Sequence, residues 1–528
     1  MKLLPTLAAL SLLAPLTLAV GETTPNILVI LVDDCGPEQL ECYDATPTSS
    51  LLAPGSNLYD LASNDYDYAP TPNITKLAER GVRFTRAFSS PTCSPTRAQL
   101  NTGLYPHRTG IGTIVTPSGL TAKRPFKTQQ LDLSPTEVIL SEALTFTTSP
   151  PAAPAYSSAW FGKWHLTREP NGREGVPPSE GDPLGDDHPV LVGWPTYEGI
   201  IRNPLEFPRP STAHYTGWFQ VDSVATSSDP FVSSTRTTVD GPYITTYQRE
   251  DLEAWITAQS SSWCAVWAAT ACHSPYNEPP TSLQSYGTLA NSVPAWTRFR
   301  AALEALDTEL GILEANLGAS VWDNTVVILA GDNGTDKHTI KAAVGAGATT
   351  LAPYATSLPV KRFKGSAYMT GSNIPLIVAG PGVVSPGRTN DDLVDMVDVY
   401  DSIMELAGRT GSWETATGTT DGISFVPALT SAAGTNGRIE SLALTYRPNG
   451  PMSARDGFRV GYTRKVGSKV YRLIRNKEAG FAVQTDEFYL ISDGGVDVDP
   501  LEASPLPNSG ADYTTVASAL ITLCPDCD

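Results

Sequence analysis

The seven residues Asn26-Ile27-Leu28-Val29-Ile30-Leu31-Val32 run directly into Asp33-Asp34. A run of β-branched and aliphatic side chains with no polar interruption is typical of a strand buried on both faces, as in a parallel sheet. Such a sheet needs helices on both faces, so this stretch favours an α/β fold. The abrupt change to two carboxylates makes the carboxyl end of the strand a candidate for function.

The same arrangement recurs along the chain. Further strands are predicted at Ser158–Phe161 before Gly162-Lys163-Trp164-His165, at Trp263–Thr270 before Cys272-His273, at Thr325–Ala330 before Gly331-Asp332-Asn333-Gly334, and at Ile374–Ala379. Helices are predicted over Ile74–Arg80, Ser134–Leu144, Pro294–Leu317 and Leu393–Ala407. Alternating strands and helices predict a doubly wound, mainly parallel sheet. Because ligands bind beyond the carboxyl ends of such strands, we expect the polar clusters to converge on one site.

The pattern changes near Ser431. Phe458–Tyr462, Lys469–Ile474 and Glu487–Ile491 alternate apolar and polar residues around glycine-bearing turns, which predicts an antiparallel C-terminal subdomain. Two stretches rich in Pro, Ser, Thr, Gly and Asp, Glu41–Tyr68 and Asn171–Pro242, are predicted to be long loops. We therefore expect a leader over 1–19, a main α/β domain over 20–430 and a smaller subdomain over 431–528.

The leader and the overall charge bear on location and partners. Met1-Lys2 and the apolar stretch Leu3–Ala19 are typical of a secretory signal peptide cleaved near Ala19, which predicts a secreted or periplasmic protein. The stretch is short and contains proline, which argues against a membrane span. The 528-residue chain carries 36 Lys and Arg against 55 Asp and Glu, a net charge of −19, and this balance argues against nucleic acid as a partner.

Oxygen ligands follow two of the predicted strands. Asp33 and Asp34 repel one another unless a cation lies between them. Together with Asp332 and Asn333 they form an oxygen-only set that suits Ca²⁺ or Mg²⁺ better than zinc. For either pair alone, the competing interpretation is a turn residue that caps the next helix.

A cysteine opens a predicted helix in Cys93-Ser94-Pro95-Thr96-Arg97-Ala98. Ser94 suits the N-cap and Pro95 the first helical position. The N-terminus of a helix favours an oxyanion, and Arg97 adds donors matched to tetrahedral anions. This stretch resembles the maturation signature of the type I sulfatases, in which the cysteine is oxidised to the aldehyde formylglycine.

Further cations and histidines stand in short polar segments. Lys364 can neutralise an oxyanion as a point charge. His165 follows Lys163 by two residues and shares its side if the segment is extended, and His273 can protonate a leaving oxygen. The remaining histidines are predicted to be structural: His107, His188, His214 and His338.

As a whole, the chain resembles the formylglycine-dependent, arylsulfatase-like sulfatases of the alkaline phosphatase superfamily, from about Pro25 to Glu502. The segments that carry the resemblance stand in the family's order: Pro25–Gly36, Thr71–Phe84, Cys93–Gly110, Gly162–Leu166, His273–Pro275, Gly331–Gly334, Lys364–Tyr368, Pro375–Gly382 and Val394–Gly408. The fold that the resemblance implies is the alkaline phosphatase-like sheet.

The resemblance also implies a role for each candidate residue. Cys93 matches the residue that becomes formylglycine, and its hydrate completes a calcium shell whose other ligands are Asp33, Asp34, Asp332 and Asn333. Arg97 matches the residue that holds the hydrate, and Lys163 and Lys364 match those that hold sulfate oxygens. His165 matches the residue that handles the proton of the hydrate, and His273 the acid for the leaving alcohol.

The implied activity is hydrolysis of an aryl or carbohydrate sulfate to an alcohol and sulfate, after maturation by a formylglycine-generating or other sulfatase-maturing enzyme. Ca²⁺ is the implied metal, with Mg²⁺ the weaker candidate. One alternative is a phosphodiesterase or phosphonate monoester hydrolase of the same superfamily, since the same charges suit either anion. Another is a non-catalytic protein that binds sulfated ligands and keeps Cys93 unmodified.

One departure from the family pattern concerns the segment after Tyr368. Many relatives carry Glu-Gly-Gly-x-Arg-x-Pro there, whereas this chain reads Met369-Thr370-Gly371-Ser372-Asn373-Ile374-Pro375. The segment therefore lacks an acid and a base.

The seven cysteines are an odd number for an exported chain. If Cys93 is modified, six remain that could form disulfides. Cys264 and Cys272 should not pair, because they stand at opposite ends of one predicted strand. A small disulfide is predicted between Cys524 and Cys527.

Overall fold

The computed structural model describes residues 24–44, 68–115, 132–145, 156–167, 184–202, 214–227, 232–290, 293–336, 363–409, 414–415, 418–447, 449, 457–477, 484–499, 502 and 504–528. Their strands are β1 (Asn26–Val32), β2 (Gly81–Phe88), β3 (Ser157–Lys163), β4 (Thr196–Ile200), β5 (His214–Tyr215), β6 (Gly217–Ala225), β7 (Val232–Asp240), β8 (Trp263–Ala269), β9 (Tyr276–Asn277), β10 (Thr325–Gly331), β11 (Asn373–Ala379), β12 (Arg388–Asp395), β13 (Glu414–Thr415), β14 (Gly418–Thr419), β15 (Glu440–Tyr446), β16 (Phe458–Val466), β17 (Lys469–Lys477), β18 (Gln484–Asp493) and β19 (Val496–Asp497).

The helices of the same residues are α1 (Glu41–Asp44), α2 (Pro72–Glu79), α3 (Cys93–Thr102), α4 (Pro106–Thr109), α5 (Leu140–Thr145), α6 (Leu184–Leu191), α7 (Ile244–Thr257), α8 (Ala295–Trp322), α9 (Met369–Ser372), α10 (Met396–Leu406), α11 (Val426–Thr430) and α12 (Ala511–Leu523). The leader predicted over 1–19 lies outside the described residues, as does most of the predicted loop Glu41–Tyr68. The prediction of a long loop over Asn171–Pro242 is wrong where the chain is described, because that stretch contains α6, β4, β5, β6 and β7. Within the described part of the chain, no helix is long and apolar enough to cross a membrane.

Ten strands form one large sheet in the order β12-β2-β11-β10-β1-β8-β3-β4-β6-β7. β1 lies near its centre between β10 and β8, both parallel to it, and Val32 is opposite Gly331 and Ala269. Of the ten strands, β11 and β6 run against the others. The predicted doubly wound, mainly parallel sheet is confirmed.

Successive residues of β1 enter opposite layers of the core. Ile27, Val29 and Leu31 join an apolar cluster with residues of α3 and α10. Leu28, Ile30 and Val32 join a second cluster with residues of α2, α7 and α8. Side chains alternate between the two faces of a strand, so an unbroken apolar run requires helices on both faces.

The C-terminal part forms a separate antiparallel sheet in the order β15-β16-β17-β18-β19. This confirms the antiparallel prediction, and the strands extend beyond the segments that the sequence indicated. Helix α12, which was not predicted, covers the sheet through Val516 and Leu520.

Two predicted helices have wrong boundaries. The helix expected over Leu393–Ala407 begins at Met396, because Leu393 and Val394 belong to β12 and Asp395 caps the helix by accepting from the Val397 N–H. Of the helix expected over Ser134–Leu144, only α5 forms, preceded by a turn at 135–136. The other two expected helices are present as α2 and α8, and α8 continues to Trp322.

Candidate active site and metal centre

One edge of the large sheet collects the candidate residues. Asp33 and Asp34 follow β1, Asp332 and Asn333 follow β10, and His273 follows β8 after a short turn. Lys163 ends β3, with His165 two residues beyond, and the segment after β2 leads into α3. Because β11 is antiparallel to β10, the loop that precedes it brings Lys364 to the same edge.

Three carboxylates and three cations form the centre of this group. The Lys163 ammonium donates to Asp33 Oδ2 at 2.7 Å, and Arg97 Nη2 donates to Asp332 Oδ2 at 3.0 Å. The Lys364 ammonium donates to Asp34 Oδ1. Five of the six side chains are at most 3% exposed, and Lys364 is partly buried with 12% of its side chain exposed. The formal charges of the six groups cancel, so an added divalent cation would leave the site positive and suited to an anion.

Two buried oxygens identify where a cation fits. Asp33 Oδ1 and Asn333 Oδ1 are buried and accept no hydrogen bond, although burying an unpaired acceptor is costly. Asn333 is oriented by its amide nitrogen, which donates to Asp34 Oδ1 at 2.9 Å. Ligand-capable atoms of Asp33, Asp34 and His273 lie within 4.8 Å of one another. Oxygen ligands that lie this close together suit a hard cation such as Ca²⁺.

Cys93 occupies the first turn of α3 and is 1% exposed. Its Sγ lies 3.2 Å from His165 Nδ1. The prediction that Ser94 caps the helix is wrong, because the helix begins at Cys93 with Thr92 as N-cap and the Ser94 hydroxyl accepts from the Val115 N–H instead. Pro95 is therefore the third helical residue, where a missing N–H is still harmless.

His165 reaches the site by a different backbone path from the one expected. The chain leaves β3 at Lys163, and His165 adopts φ +61°, in the left-handed region. Lys163 and His165 therefore do not share one side of an extended strand. His165 Nδ1 still contacts Cys93, while the backbone carbonyl of Lys163 accepts from Arg97 Nη1 at 2.6 Å.

The protonation of the site follows from burial and the nearby cations. Burial alone would raise the pKa of Asp33, but Lys163, His273 and Arg97 hold it well below the ordinary value. Burial, together with the charge of Asp33, raises the pKa of Asp332 to about 7. Burial and the charge of Lys163 lower the pKa of both His165 and His273 well below the ordinary value.

Arg202 is a candidate that the sequence interpretation missed. It follows β4, the parallel neighbour of β3, and is 5% exposed. Its charge is among the causes that lower the pKa of His165. A signal was available, since Arg202 stands two residues after a short strand, as His165 stands two residues after β3, but the composition of this stretch predicts a loop.

Aromatic residues of the same stretch belong to the core. Trp194 and Tyr197 are fully buried, and Trp194 packs edge-on against Trp160. His188 is buried and accepts from Trp164 Nε1 at 3.0 Å, as expected of a structural histidine. The side chains of His214 and His338 lie outside what the structure describes.

The cysteines form one disulfide, between Cys524 and Cys527, as predicted. The other five, Cys35, Cys42, Cys93, Cys264 and Cys272, are free and buried. The further disulfides allowed by six unmodified cysteines are therefore not formed.

The doubly wound, mainly parallel sheet with its charged residues at the carboxyl edge is an alkaline phosphatase-like α/β fold. The family model described as Sulfatase matches residues 25–409, so the chain belongs to the sulfatase family. The family and its named members imply hydrolysis of sulfate esters.

Human arylsulfatase A is 27% identical over 447 residues, covering 83% of this chain and 73% of that protein. The N-acetylgalactosamine-6-sulfatase of Rattus norvegicus is 27% identical over 415 residues, covering 77% of this chain and 66% of that protein. The solved structure of Ps i-CgsB in complex with k-i-k-neocarrahexaose superposes with a TM-score of 0.60 at 19% identity, covering 96% of this chain and 94% of that one. This last likeness concerns the fold.

Proposed function

We propose that this protein hydrolyses aryl or carbohydrate sulfate esters to an alcohol and sulfate, with a formylglycine nucleophile made from Cys93 and a bound Ca²⁺. The observation that carries the proposal is the position of Cys93. It lies in the first turn of α3, with His165 Nδ1 3.2 Å away, beside a buried group of three cations and three carboxylates. A tetrahedral anion with one ester oxygen matches that charge pattern.

Asp33, Asp34, Asp332 and Asn333 would hold the cation, since two of their oxygens are buried acceptors without donors. When present, Ca²⁺ supplies positive charge and polarises bound oxygens, and the aldehyde hydrate supplies an oxygen nucleophile.

The chain's own side chains then have separate tasks. Lys163 and Lys364 bind and orient the sulfate oxygens as fixed ammonium groups. Arg97 orients the first turn of α3 through its bonds to Asp332 and the Lys163 carbonyl. In this proposal His165, whose Nδ1 lies 3.2 Å from Cys93 Sγ, accepts a proton from the group at position 93. His273 donates one to the leaving oxygen, for which the negative charge of the bound ester must first raise its lowered pKa.

The proposal extends to substrate, maturation and location. The names of the relatives indicate aryl and carbohydrate substrates for those proteins, and we propose the same range here. Maturation of Cys93 requires a formylglycine-generating or other sulfatase-maturing enzyme as a partner. The segment 1–19, which has the features of a signal peptide, supports a secreted or periplasmic location.

The first test is the mass of the peptide that bears Cys93, in protein expressed in its own host. Conversion of the thiol to an aldehyde or its hydrate is expected, together with hydrolysis of aryl sulfates. Cys93→Ala should abolish activity. Cys264→Ala is the matched control, because Cys264 is equally buried but lies near the opposite end of β8 from the site.

Two outcomes contradict the proposal. Unmodified Cys93 in an inactive protein that still binds sulfated ligands indicates a binding protein. Higher kcat/KM on a phosphate diester or phosphonate ester than on the matched sulfate indicates the phosphodiesterase branch of the superfamily.

A further inference from the structure

The loop that carries Lys364 continues into a segment without charged side chains. Residues 363–372, here called the Lys364 loop, end in Met369-Thr370-Gly371-Ser372, which contains neither an acid nor a base. The position of this loop nevertheless sets the position of the Lys364 ammonium, which donates to Asp34 Oδ1. Other parts of the molecule must therefore hold it.

The α/β domain holds one side of the loop through backbone hydrogen bonds. The Lys364 N–H donates to the Thr335 carbonyl at 3.1 Å, and the Gly365 N–H donates to the Pro91 carbonyl at 2.7 Å. Both acceptors lie on segments that lead to or from the site, since Thr335 follows Asn333 and Pro91 precedes Cys93. These bonds fix the beginning of the loop.

The C-terminal subdomain holds the other side with an acid and a base. Arg472, on β17, donates through Nη2 to the Ala367 carbonyl at 2.6 Å and to the Ser372 hydroxyl at 2.7 Å. Glu502 Oε2 accepts from the Met369 N–H at 3.0 Å. Glu502 Oε1 lies 3.0 Å from Arg472 Nε in an ion pair whose N–H is not aligned as a hydrogen bond.

The packing around this pair leaves little freedom. Arg472 is 0% exposed and Glu502 is 1% exposed. The backbone of β16 approaches so closely at Gly461 that an added Cβ would lie 2.0 Å from the Ala367 carbonyl oxygen. Burial lowers the pKa of Arg472 to about 10 although Glu502 and Asp395 oppose this, so the guanidinium stays charged at neutral pH. Buried charges are tolerated when they are paired and hydrogen-bonded, as both are here.

We propose that Arg472 and Glu502 are positioning residues for Lys364: from β17 and the segment after β19, the C-terminal subdomain supplies a base and an acid that hold the Lys364 loop in place. They touch neither substrate nor metal, and they act by fixing the loop from which the ammonium projects. The catalytic part of this inference rests on the proposed function. The structural part, that the pair orders the loop, does not.

The test compares Arg472→Met and Arg472→Lys with the control Arg475→Met in the matured full-length protein. Arg475 is also a buried arginine of β17, and it pairs with Asp486 through 2.9 and 2.8 Å bonds without contacting the loop. Hydrogen exchange of the amides at 364–372 reports loop order, and steady-state kinetics on an aryl sulfate report the position of Lys364. If a methionine variant fails to fold, Glu502→Gln gives the same two readouts with a smaller change.

Arg472→Met is expected to speed exchange in the loop and to lower kcat/KM about 100-fold, as a misplaced binding group does. Arg472→Lys should recover part of both, and Arg475→Met should change neither. Wild-type exchange and kinetics in Arg472→Met would overturn the inference, as would an equal loss in Arg475→Met. If matured wild-type protein hydrolyses no sulfate ester, the proposed function fails, and the exchange data alone decide whether the pair orders the loop.

Discussion

Asn333 shows how a single side chain can prepare the proposed metal centre. Its amide nitrogen is committed to Asp34 Oδ1, while its amide oxygen is buried and accepts no hydrogen bond. Asp33 Oδ1 is also buried and accepts no hydrogen bond. Burying an acceptor without a donor costs free energy unless a cation binds it. These two oxygens therefore indicate a cation site more directly than the acidic composition of the chain does.

Calcium should therefore stabilise the folded protein through Asn333. At a concentration 100 times its dissociation constant, Ca²⁺ is expected to raise the free energy of unfolding by about 2.7 kcal/mol. Asn333→Ala should lose most of this gain, because one ligand oxygen is removed. Differential scanning calorimetry with and without Ca²⁺ measures the effect. Asn436→Ala is the control, since Asn436 is a buried asparagine that donates to the Leu393 carbonyl, and an equal loss there would contradict the assignment.

At the same scale, the sequence indicates which residues are candidates for the site. It does not indicate the backbone conformation that brings each of them there. Lys163, His165 and Asp332 were all recognisable from their place after apolar runs. The left-handed backbone of His165 was not, because a single turn residue follows the shape of its surroundings rather than a repeating pattern. Arg202 was missed because its strand is short and lies in a stretch of loop-like composition.

At the scale of elements, Gly162 controls how closely β3 approaches β8. It adopts φ +92°, and an added Cβ would lie 2.3 Å from the Ala268 carbonyl oxygen. Gly162→Ala should therefore cost more than the roughly 1–2 kcal/mol of a left-handed alanine, and it should displace the adjacent Lys163. Denaturant unfolding and kcat/KM measure the two effects.

The variant Gly241→Ala separates the two contributions to the loss of stability in Gly162→Ala, which are the left-handed backbone and the contact of the added Cβ with β8. Gly241 has φ +102° but nothing within 4 Å of its added Cβ, so only the backbone cost applies. Equal loss of stability in both variants would show that the contact with β8 is unimportant.

A cluster of acids lies on β4, β6 and α7, near the β7 edge of the large sheet. Burial raises the pKa of Glu198 and of Asp251 to about 7, and the neighbouring Asp222 adds to both shifts. The ordinary values are 4.5 and 3.8, so the folded state binds protons more tightly than the unfolded state. Their contribution to stability is complete below about pH 4 and is lost as the pH rises through about 7.

Asp251→Asn should remove part of this pH dependence. Relative to wild type, its melting temperature is expected to be higher at pH 8 than at pH 5, because the variant has no charge to bury at high pH. Thermal unfolding across this range measures the difference. The exposed Glu405→Gln should show no such trend, and a parallel shift at both pH values in Asp251→Asn would contradict the mechanism.

At the scale of the whole molecule, one apolar cluster contains side chains from both the α/β part and the C-terminal sheet. Tyr105 and Val397 of the α/β part belong to the same apolar cluster as Leu444 of β15. Buried polar contacts cross the same boundary: Arg438 Nε donates to Asp398 Oδ2 at 2.7 Å, and the Ser441 hydroxyl donates to Asp395 Oδ2 at 2.6 Å. Removing one partner of such a buried ion pair costs about 3–5 kcal/mol.

The large sheet and the C-terminal sheet are therefore expected to unfold together. Calorimetry should give one transition, and Arg438→Met should lower its midpoint without splitting it. The variant Arg388→Met, in which a partly buried arginine loses its contacts to the carbonyls of Ala428 and Leu429 in α11, serves as the comparison. Two resolved transitions in the wild-type protein would show that the sheets are independent.

Five of the ten strands of the large sheet, β1, β3, β8, β10 and β11, could be predicted from local sequence, because an unbroken apolar run is typical of a strand buried on both faces. The order of the strands in the sheet could not, because it depends on pairing between distant segments. The helix over 393–407 was placed too early for a local reason as well: Leu393 and Val394 have strand neighbours in β2 that only the folded chain brings beside them. Long-range pairing routinely overrides such local preferences.

By itself, the sequence determined the α/β class and the family, and it predicted which residues carry charge at the site, bind a cation or are modified. Only the tertiary structure decided which of those charges face one another, which oxygens lack donors, and which distant residues support the Lys364 loop. The physical reason is that residue type and periodicity are local properties. The pairing of Arg472 with a loop some hundred residues away depends instead on how two sheets pack, and that packing is encoded in contacts spread over the whole chain.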